Sequence, residues 1–397
     1  MVDLRDQLRS YAELMDAVAP TLAQLAPDTT RPEILPAAPA PPSRRRWLPV
    51  AAALSAAAVV VAAIVAVGLV ARSGDDVADT TTTSTTAATT TTIPESQPIV
   101  WERLGGDTVV DQGIEGSPFT GPGGVAFVDG LFHMFRNGTV DERLDPQRGN
   151  KVGYLVSSDG IAWQEPDPAP LWSDSDVPFG AKFARARSAL RDGTGTWRIY
   201  FDVGMPVDDG DDATAKTVIG LATAPAPTGP WTVLPEPVLT PTGSGYVASP
   251  SVHEVEGGFV MYYVGGPDAD SAAIGRATST DGVTWVTDPR PVLVPSQEWE
   301  RGSIVLVDAE LAGQTWVLFY TGDTRSRRGL ATSADGVSFT KYAQNPVIDT
   351  TLLPRLSVFD SDVVFTGGRW YVYIENGGTR SNSQIVLLAH DGDLPQP

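Results

Sequence analysis

Two hydrophobic patterns divide the chain. Residues 47–71, WLPVAAALSAAAVVVAAIVAVGLVA, contain no charged side chain. At ~1.5 Å rise per residue a helix of this length spans the roughly 30 Å hydrocarbon core of a bilayer. Arg44, Arg45 and Arg46 precede the run, and Arg72, Asp75, Asp76 and Asp79 follow it. Cationic residues stay on the cytoplasmic side, so the N-terminus is expected inside and the remainder outside. With residues 1–46 ahead of it, the run reads as an uncleaved signal anchor rather than a cleaved signal peptide.

Beyond Trp101 the pattern changes to short apolar runs separated by Gly, Asp and Asn. One aromatic strand recurs five times: LFHMFRNG (131–138), WRIYFDVG (197–204), FVMYYVGG (259–266), WVLFYTGD (316–323) and WYVYIENG (370–377). A second apolar run lies upstream of each copy and a third downstream. The third usually ends in Asp-Gly, at Asp159-Gly160, Asp281-Gly282, Asp335-Gly336 and Asp391-Gly392. Asp-Gly between alternating runs predicts a hairpin of type I′, with positive φ at both central residues. A fourth run carries Trp163, Trp231, Trp285 or Phe339, read as packing residues between units. Five four-stranded units predict an all-β, five-bladed β-propeller over 99–397. The fifth unit lacks a clear fourth strand after Gly392, and IVWERL (99–104) is expected to supply it and close the ring.

The segments before the propeller differ in kind. Leu4, Leu8, Tyr11, Met15 and Val18 repeat at helical spacing, which predicts an amphipathic helix within residues 3–25. It reads either as a dock for a cytoplasmic protein partner or as a helix lying on the membrane surface. Pro27 to Pro42 make the rest of 1–46 an extended linker, and the Thr-rich stretch within 72–98 is too polar to form a core and reads as a stalk.

Composition narrows the chemistry. With 28 Lys+Arg against 48 Asp+Glu the net charge is −20, which argues against nucleic-acid binding. The absence of Cys removes disulfides, thiol nucleophiles and Cys-ligated metals, and three His make a His-rich metal site improbable. No metal site is assigned. Asp208, Asp209, Asp211 and Asp212 form an acidic loop with oxygen ligands of the type Ca²⁺ prefers, but their spacing matches no EF-hand and a solvated loop is the better reading. His133 stands where the other copies have aliphatic residues and reads as packed.

The pattern Ser-x-Asp-Gly-x-x-Trp after an Ala-Thr strand, with Pro291-Val292 or Pro346-Val347 following, resembles the five-bladed glycoside hydrolases. These are the arabinanase/xylosidase family 43, the invertase/levansucrase group and the β-mannoside phosphorylases. Sialidases, with a related Asp-box and six blades, rank second. The resemblance implies a carbohydrate ligand and two or three carboxylates at the starts of successive inner strands. At the matching positions this chain has Gly121-Pro122, Ala186-Arg187-Ser188 and Ala248-Ser249-Pro250. All three expected acids are absent, so hydrolysis is left open. Candidates for a displaced catalytic pair are Asp362, Glu300 and Asp202. Arg185, Arg187, Arg301, Asp360 and Glu375 are candidates for substrate binding, because an Arg beside carboxylates can hold a sugar hydroxyl or a substrate acid. The sequence therefore predicts a membrane-anchored, extracytoplasmic glycosidase-like propeller that recognises a carbohydrate. The rival is a non-catalytic scaffold or sensor that binds a protein partner.

Overall fold

A computed structural model describes residues 98–111, 113–114, 119–139, 150–205, 216–242, 245–354, 356–377 and 383–395. The expected amphipathic helix, membrane span, stalk and acidic loop at 208–212 lie outside the described residues. Among the described residues no helix is long and apolar enough to cross a membrane.

The described chain is all β, folded as five antiparallel sheets. The first blade runs β2 (Gly121–Val128), β3 (Leu131–Thr139), β4 (Asn150–Ser157) and β5 (Trp172–Ser173). The second runs β6 (Phe183–Arg191), β7 (Trp197–Gly204), β8 (Thr217–Ala224) and β9 (Thr232–Val233). The third comprises β10 (Tyr246–Val255), β11 (Gly258–Gly266), β12 (Ala273–Ser279) and β13 (Val286–Thr287). The fourth comprises β14 (Ile304–Ala312), β15 (Thr315–Gly322), β16 (Arg327–Ser333) and β17 (Thr340–Lys341), with β18 (Ile348–Asp349) also on β16. The fifth has β19 (Leu356–Thr366), β20 (Arg369–Asn376) and β21 (Gln384–Asp391), and its fourth strand is β1 (Glu102–Leu104). β1 pairs antiparallel with β21, Arg103 opposite Leu388, so the start of the propeller completes its last blade. Trp101, just before β1, joins the core between the fourth and fifth blades and donates from Nε1 to the Val347 carbonyl at 3.0 Å.

The core is divided among the interfaces between blades. Five hydrophobic clusters fill the five contacts, for example Phe135, Val152 and Trp172 against Ile199 and Phe201 between the first two blades. A blade packed on both faces needs apolar residues at successive positions, which explains why β7 is buried almost throughout. Trp163, Trp231, Trp285 and Phe339 each meet an aromatic ring of an adjacent blade at 5.4–5.9 Å between centroids. His133 is buried against Trp197 and the Tyr154 hydroxyl, and burial lowers its pKa.

The Asp-Gly turns differ from the expected type I′ geometry. Only the glycines have positive φ, +74° at Gly160, +72° at Gly282 and +70° at Gly336, and the preceding Asp residues do not. The reason is a side-chain alternative. Asp281 Oδ1 accepts the amides of Val283 and Thr284 at 2.8 and 2.7 Å, and Ser279 Oγ accepts that of Gly282 at 2.8 Å. These bonds fold the segment as an Asx-type turn and hold the Asp281 carboxyl down at about 2. The glycine carbonyl then accepts a tyrosine hydroxyl from the preceding blade: Tyr200 to Gly282 at 2.8 Å, Tyr262 to Gly336 at 2.7 Å and Tyr373 to Gly160 at 2.9 Å. The repeated motif is a latch between blades.

Candidate functional site

All five inner strands break register: β2 between Pro122 and Val125, β6 between Ala186 and Ser188, β10 between Ala248 and Ser251, β14 between Ile304 and Leu306, and β19 between Leu356 and Ser361. A bulge releases a residue from the ladder and re-aims its side chain. In β6 the released residue is Arg187. In β19 the irregular stretch includes Asp360, and in β10 it includes Ser249, whose φ is +49°.

These residues meet near the propeller axis. Arg187 Nε donates to Asp202 at 2.6 Å, and its Nη1 donates to the Phe359 carbonyl at 2.7 Å and to Asp360. Asp202 also accepts the Ser249 amide at 2.6 Å. Asp360, fully buried, accepts Asn137 Nδ2 at 3.0 Å, while Asn137 Oδ1 accepts the Ala186 amide at 2.9 Å. Burial alone would lower the Arg187 pKa, but Asp202 and Asp360 outweigh it and hold the guanidinium firmly charged. Glu375, on β20, is 1 % exposed and its Oε2 has no hydrogen-bond partner. Burial and then the Asp360 charge push its carboxyl well above the usual range, against the pull of Arg185, Arg187 and Arg325.

Two further residues complete the cluster. Burial, then Asp202, pushes the Tyr246 hydroxyl up to about 12. Arg325, in the turn from β15 to β16, has φ +55° and lies 4.6 Å over the Phe359 ring. Burial, with Arg187 and Arg185 nearby, lowers its pKa. Arg185 lies 5.9 and 5.7 Å over the Phe119 and Phe183 rings. Tyr246 also lines a cavity of about 480 Å³ with Tyr263, Pro267, Ser271 and Arg290.

The structure thus brings together Arg185, Arg187, Asp202, Asp360 and Glu375 from the sequence candidates. It places the others elsewhere. Asp362 lies further along β19, where one carboxylate oxygen accepts the Val125 amide and the other accepts the Val363 amide at 2.8 Å. It lines a second cavity, of about 290 Å³, with Ser188, Ser251, His253, Glu254 and Glu310, all from the later halves of inner strands. Burial, then Asp308, raises its pKa. Glu300 ends a short 3-10 turn at Glu298–Glu300 and is saturated: Lys341 Nζ reaches both oxygens at 2.5 and 2.7 Å, the Tyr320 hydroxyl donates at 2.8 Å, and the Ser296 and Gln297 amides donate at 2.5 and 2.8 Å. Burial would raise its pKa, but these bonds outweigh it and hold the carboxylate low. Its partners tie the turn to the outer strand β17. Arg301, the next residue, is exposed with φ +53°.

Gly121 is the most informative of the vacant acid positions. A Cβ built there would stand 2.5 Å from Asp360 Oδ2. The Asp360 carboxylate, supplied from the fifth blade, therefore fills the space that a side chain at the first-blade acid position would enter. Asn137, Tyr246 and Arg325 escaped the sequence reading. Asn137 had a weak signal, as the polar residue ending an otherwise apolar aromatic strand. Arg325 had none, because it lies in a turn outside the repeat.

Comparison with known proteins agrees with this architecture. Residues 250–394 match the model of the glycosyl hydrolases family 32 N-terminal domain. No curated protein matches. Among solved structures, a protein described as a putative glycosidase from Bacteroides thetaiotaomicron is similar at TM-score 0.57 and 15% identity, covering 73% of this chain and 96% of its own. A structure described under the GH130 family of mannoside phosphorylases, containing glycoside hydrolases that target beta-1,2 mannosidic linkages in Candida mannan, is similar at TM-score 0.56 and 16% identity, covering 77% and 98%. A GH43_1 enzyme from Xanthomonas citri complexed with xylose is similar at TM-score 0.53 and 17% identity, covering 74% and 89%.

Proposed function

From the premise that the described chain has the five-bladed propeller fold of the glycoside hydrolase superfamily, we propose that its axial cluster binds a saccharide without cleaving it by the two-carboxylate route. One observation carries this reading: Arg187 stands at the second-blade acid position and forms ion pairs with both Asp202 and Asp360. Glycoside cleavage needs one carboxyl to protonate the leaving oxygen and another to attack or to activate water. Carboxylates locked onto one guanidinium are poor bases and poor nucleophiles. The Tyr246-lined cavity, about 480 Å³, lies within the size range of small-ligand sites. Calorimetry of the full-length protein against a panel of mannosides, xylosides, arabinosides and fructosides tests the proposal. It predicts saturable binding with no release of a chromogenic leaving group; a panel without binding would overturn it.

A hydrolytic reading rests on Glu375. Burial and the Asp360 charge push its carboxyl well above the usual range, the direction a general acid requires. If that reading holds, turnover on chromogenic glycosides is measurable and Glu375→Gln abolishes it, while Glu300→Gln leaves it intact.

The proposal also places the propeller outside the membrane, carried on the 47–71 span, with residues 3–25 available to a cytoplasmic protein. Its support is the uncharged apolar run and the flanking Arg44–Arg46.

A further inference from the structure

An aromatic ring laid across a glycine recurs in three blades, and one of the three rings is uncovered. The fifth residue of the aromatic strand is Phe201 in β7, Tyr263 in β11 and Tyr320 in β15. Each pairs with a glycine of the next strand, Gly220, Gly275 and Gly329. A Cβ at Gly275 would stand 2.5 Å from Tyr263 Cζ, and one at Gly329 would stand 2.5 Å from Tyr320 Cζ. Only glycine leaves room for a ring to lie across the neighbouring strand in this way. The Tyr263 ring also covers Gly265 on its own strand, where a Cβ would stand 2.9 Å from Cε2.

The neighbouring blades show what such a ring carries. Trp172, in the outer strand β5, packs on Phe201 with centroids 4.8 Å apart. Trp299, in the turn before β14, stacks on Tyr320 at 5.5 Å and an interplanar angle of 27°. Each tryptophan is delivered by the stretch of chain leading into the blade's inner strand, and each covered ring is 0 % exposed. The stretch leading into β10, residues 234–245, reads LPEPVLTPTGSG and carries no aromatic residue. Among the described residues no ring stacks on Tyr263, which is half-buried and lines the cavity of about 480 Å³ together with Gly265 and Gly275. The cavity thus lies where the second and fourth blades place a tryptophan. Its lining is not wholly apolar: Thr240 and Thr242 are exposed, and Asp288 is held by Arg276 at 2.9 Å. Tyr246 belongs both to this lining and to the axial cluster.

Resting on the saccharide-binding reading above, we infer that the cavity over Tyr263 is a stacking subsite for a second sugar unit, so that the ligand is an oligosaccharide reaching from the axial cluster past Tyr246 onto Tyr263. A pyranose presents a face of polarised C–H groups bordered by hydroxyls. The negative face of an aromatic ring attracts that C–H face, and the ring buries it against an apolar surface. The sugar takes the place that Trp172 and Trp299 occupy in their blades, and its hydroxyls meet Thr240, Thr242 and Asp288. An aromatic group would match the ring but leave those polar partners unused. Tyr263 is already held in place by Gly265 and Gly275, so little side-chain freedom is lost on binding.

The test is calorimetry on the full-length protein with methyl glycosides of mannose, xylose, arabinose and fructose, from monosaccharide to tetrasaccharide. A nitrophenyl group is left out of this series because it would itself occupy the slot. For the sugar that binds, the tetrasaccharide is expected to bind about tenfold more tightly than the monosaccharide, the worth of one stacked ring. Tyr263→Ala is expected to remove most of that gain, and Tyr263→Phe, which keeps the ring, to retain it. Thr240→Trp, at an exposed position of the lining, is expected to remove the gain by filling the slot, and it decides the matter should Tyr263→Ala fail to fold. Equal affinity at all lengths, or a gain that survives both Tyr263→Ala and Thr240→Trp, would overturn the subsite and leave the saccharide reading standing. Binding of no saccharide at any length would overturn both. A gain shown by nitrophenyl monosaccharides and absent from the methyl tetrasaccharides would assign the slot to an aromatic group and would also overturn the subsite.

Discussion

Glu310 illustrates how one buried carboxyl sets a pH dependence. Burial pushes it up to about 7, against weak support from the Leu311 amide at 3.0 Å and the Phe365 amide at 3.4 Å. It shares the 290 Å³ cavity with Asp362, His253 and Glu254. Asp308 also acts on Asp362, but its carboxylate is engaged by Arg328 and by the Ser361 hydroxyl at 2.6 Å. No cation faces Glu310 closely enough to form an ion pair among the described residues. The sign follows from linkage. Below about 4.5, its ordinary value, Glu310 is protonated in the folded and unfolded chains alike and costs nothing. Between that value and about 7 the unfolded chain releases its proton first, so stability falls as pH rises. Above about 7 the folded chain carries the full penalty. Glu310→Gln is therefore expected to stabilise the protein by about 1–3 kcal/mol at pH 8 and scarcely at all at pH 4.5. Chemical denaturation at the two pH values measures this; equal gains at both would refute the burial account.

At the scale of elements, the latch and the closing strand make separate predictions. A Cβ at Gly282 would stand 2.7 Å from the Tyr200 hydroxyl, on a backbone at φ +72°. Gly282→Ala should therefore cost about 1–3 kcal/mol, combining left-handed strain with a disturbed latch. Tyr200→Phe removes only the 2.8 Å bond and should cost less, about 1 kcal/mol. Melting temperatures of the two variants distinguish strain from the lost bond. Trp101→Ala empties a position in the cluster between the fourth and fifth blades and strips a buried bond from Val347, for an expected loss of about 3–5 kcal/mol. These elements were legible in sequence because the blades repeat: the aromatic strands, the packing residues Trp163, Trp231 and Trp285, and closure by residues 99–104 all follow from one pattern and the place where it is short by a strand. The turn type was not legible, because Asp-Gly alone does not reveal that Ser279 and Asp281 take over the backbone amides. Nor were the bulges, which depend on how neighbouring blades meet at the axis. Those bulges decide that Arg187 and Asp360 touch although they are far apart in sequence. Glu300 looked like a catalytic candidate from its position before β14; its partner Lys341 comes from a distant outer strand that no local reading connects to it.

At the scale of the molecule, the net charge of −20 leaves no broad basic face to steer a ligand. The saccharide proposed for the axial cluster would then be held by short-range hydrogen bonds rather than drawn in by long-range attraction. The two act over different distances. Attraction between dispersed charges is screened beyond a Debye length, ~10 Å at 0.1 M salt and ~30 Å at 0.01 M, whereas a contact hydrogen bond in a partly desolvated site is weakened much less. Raising NaCl from about 10 to about 150 mM should therefore leave both rate constants of a neutral oligosaccharide level. A ligand steered by surface charge behaves differently, its association changing as salt is added. Surface plasmon resonance at the two salt concentrations reads both rates. A large fall in the association rate with salt would place the binding on a charged face, which this composition does not provide, and would count against the axial cluster as the site.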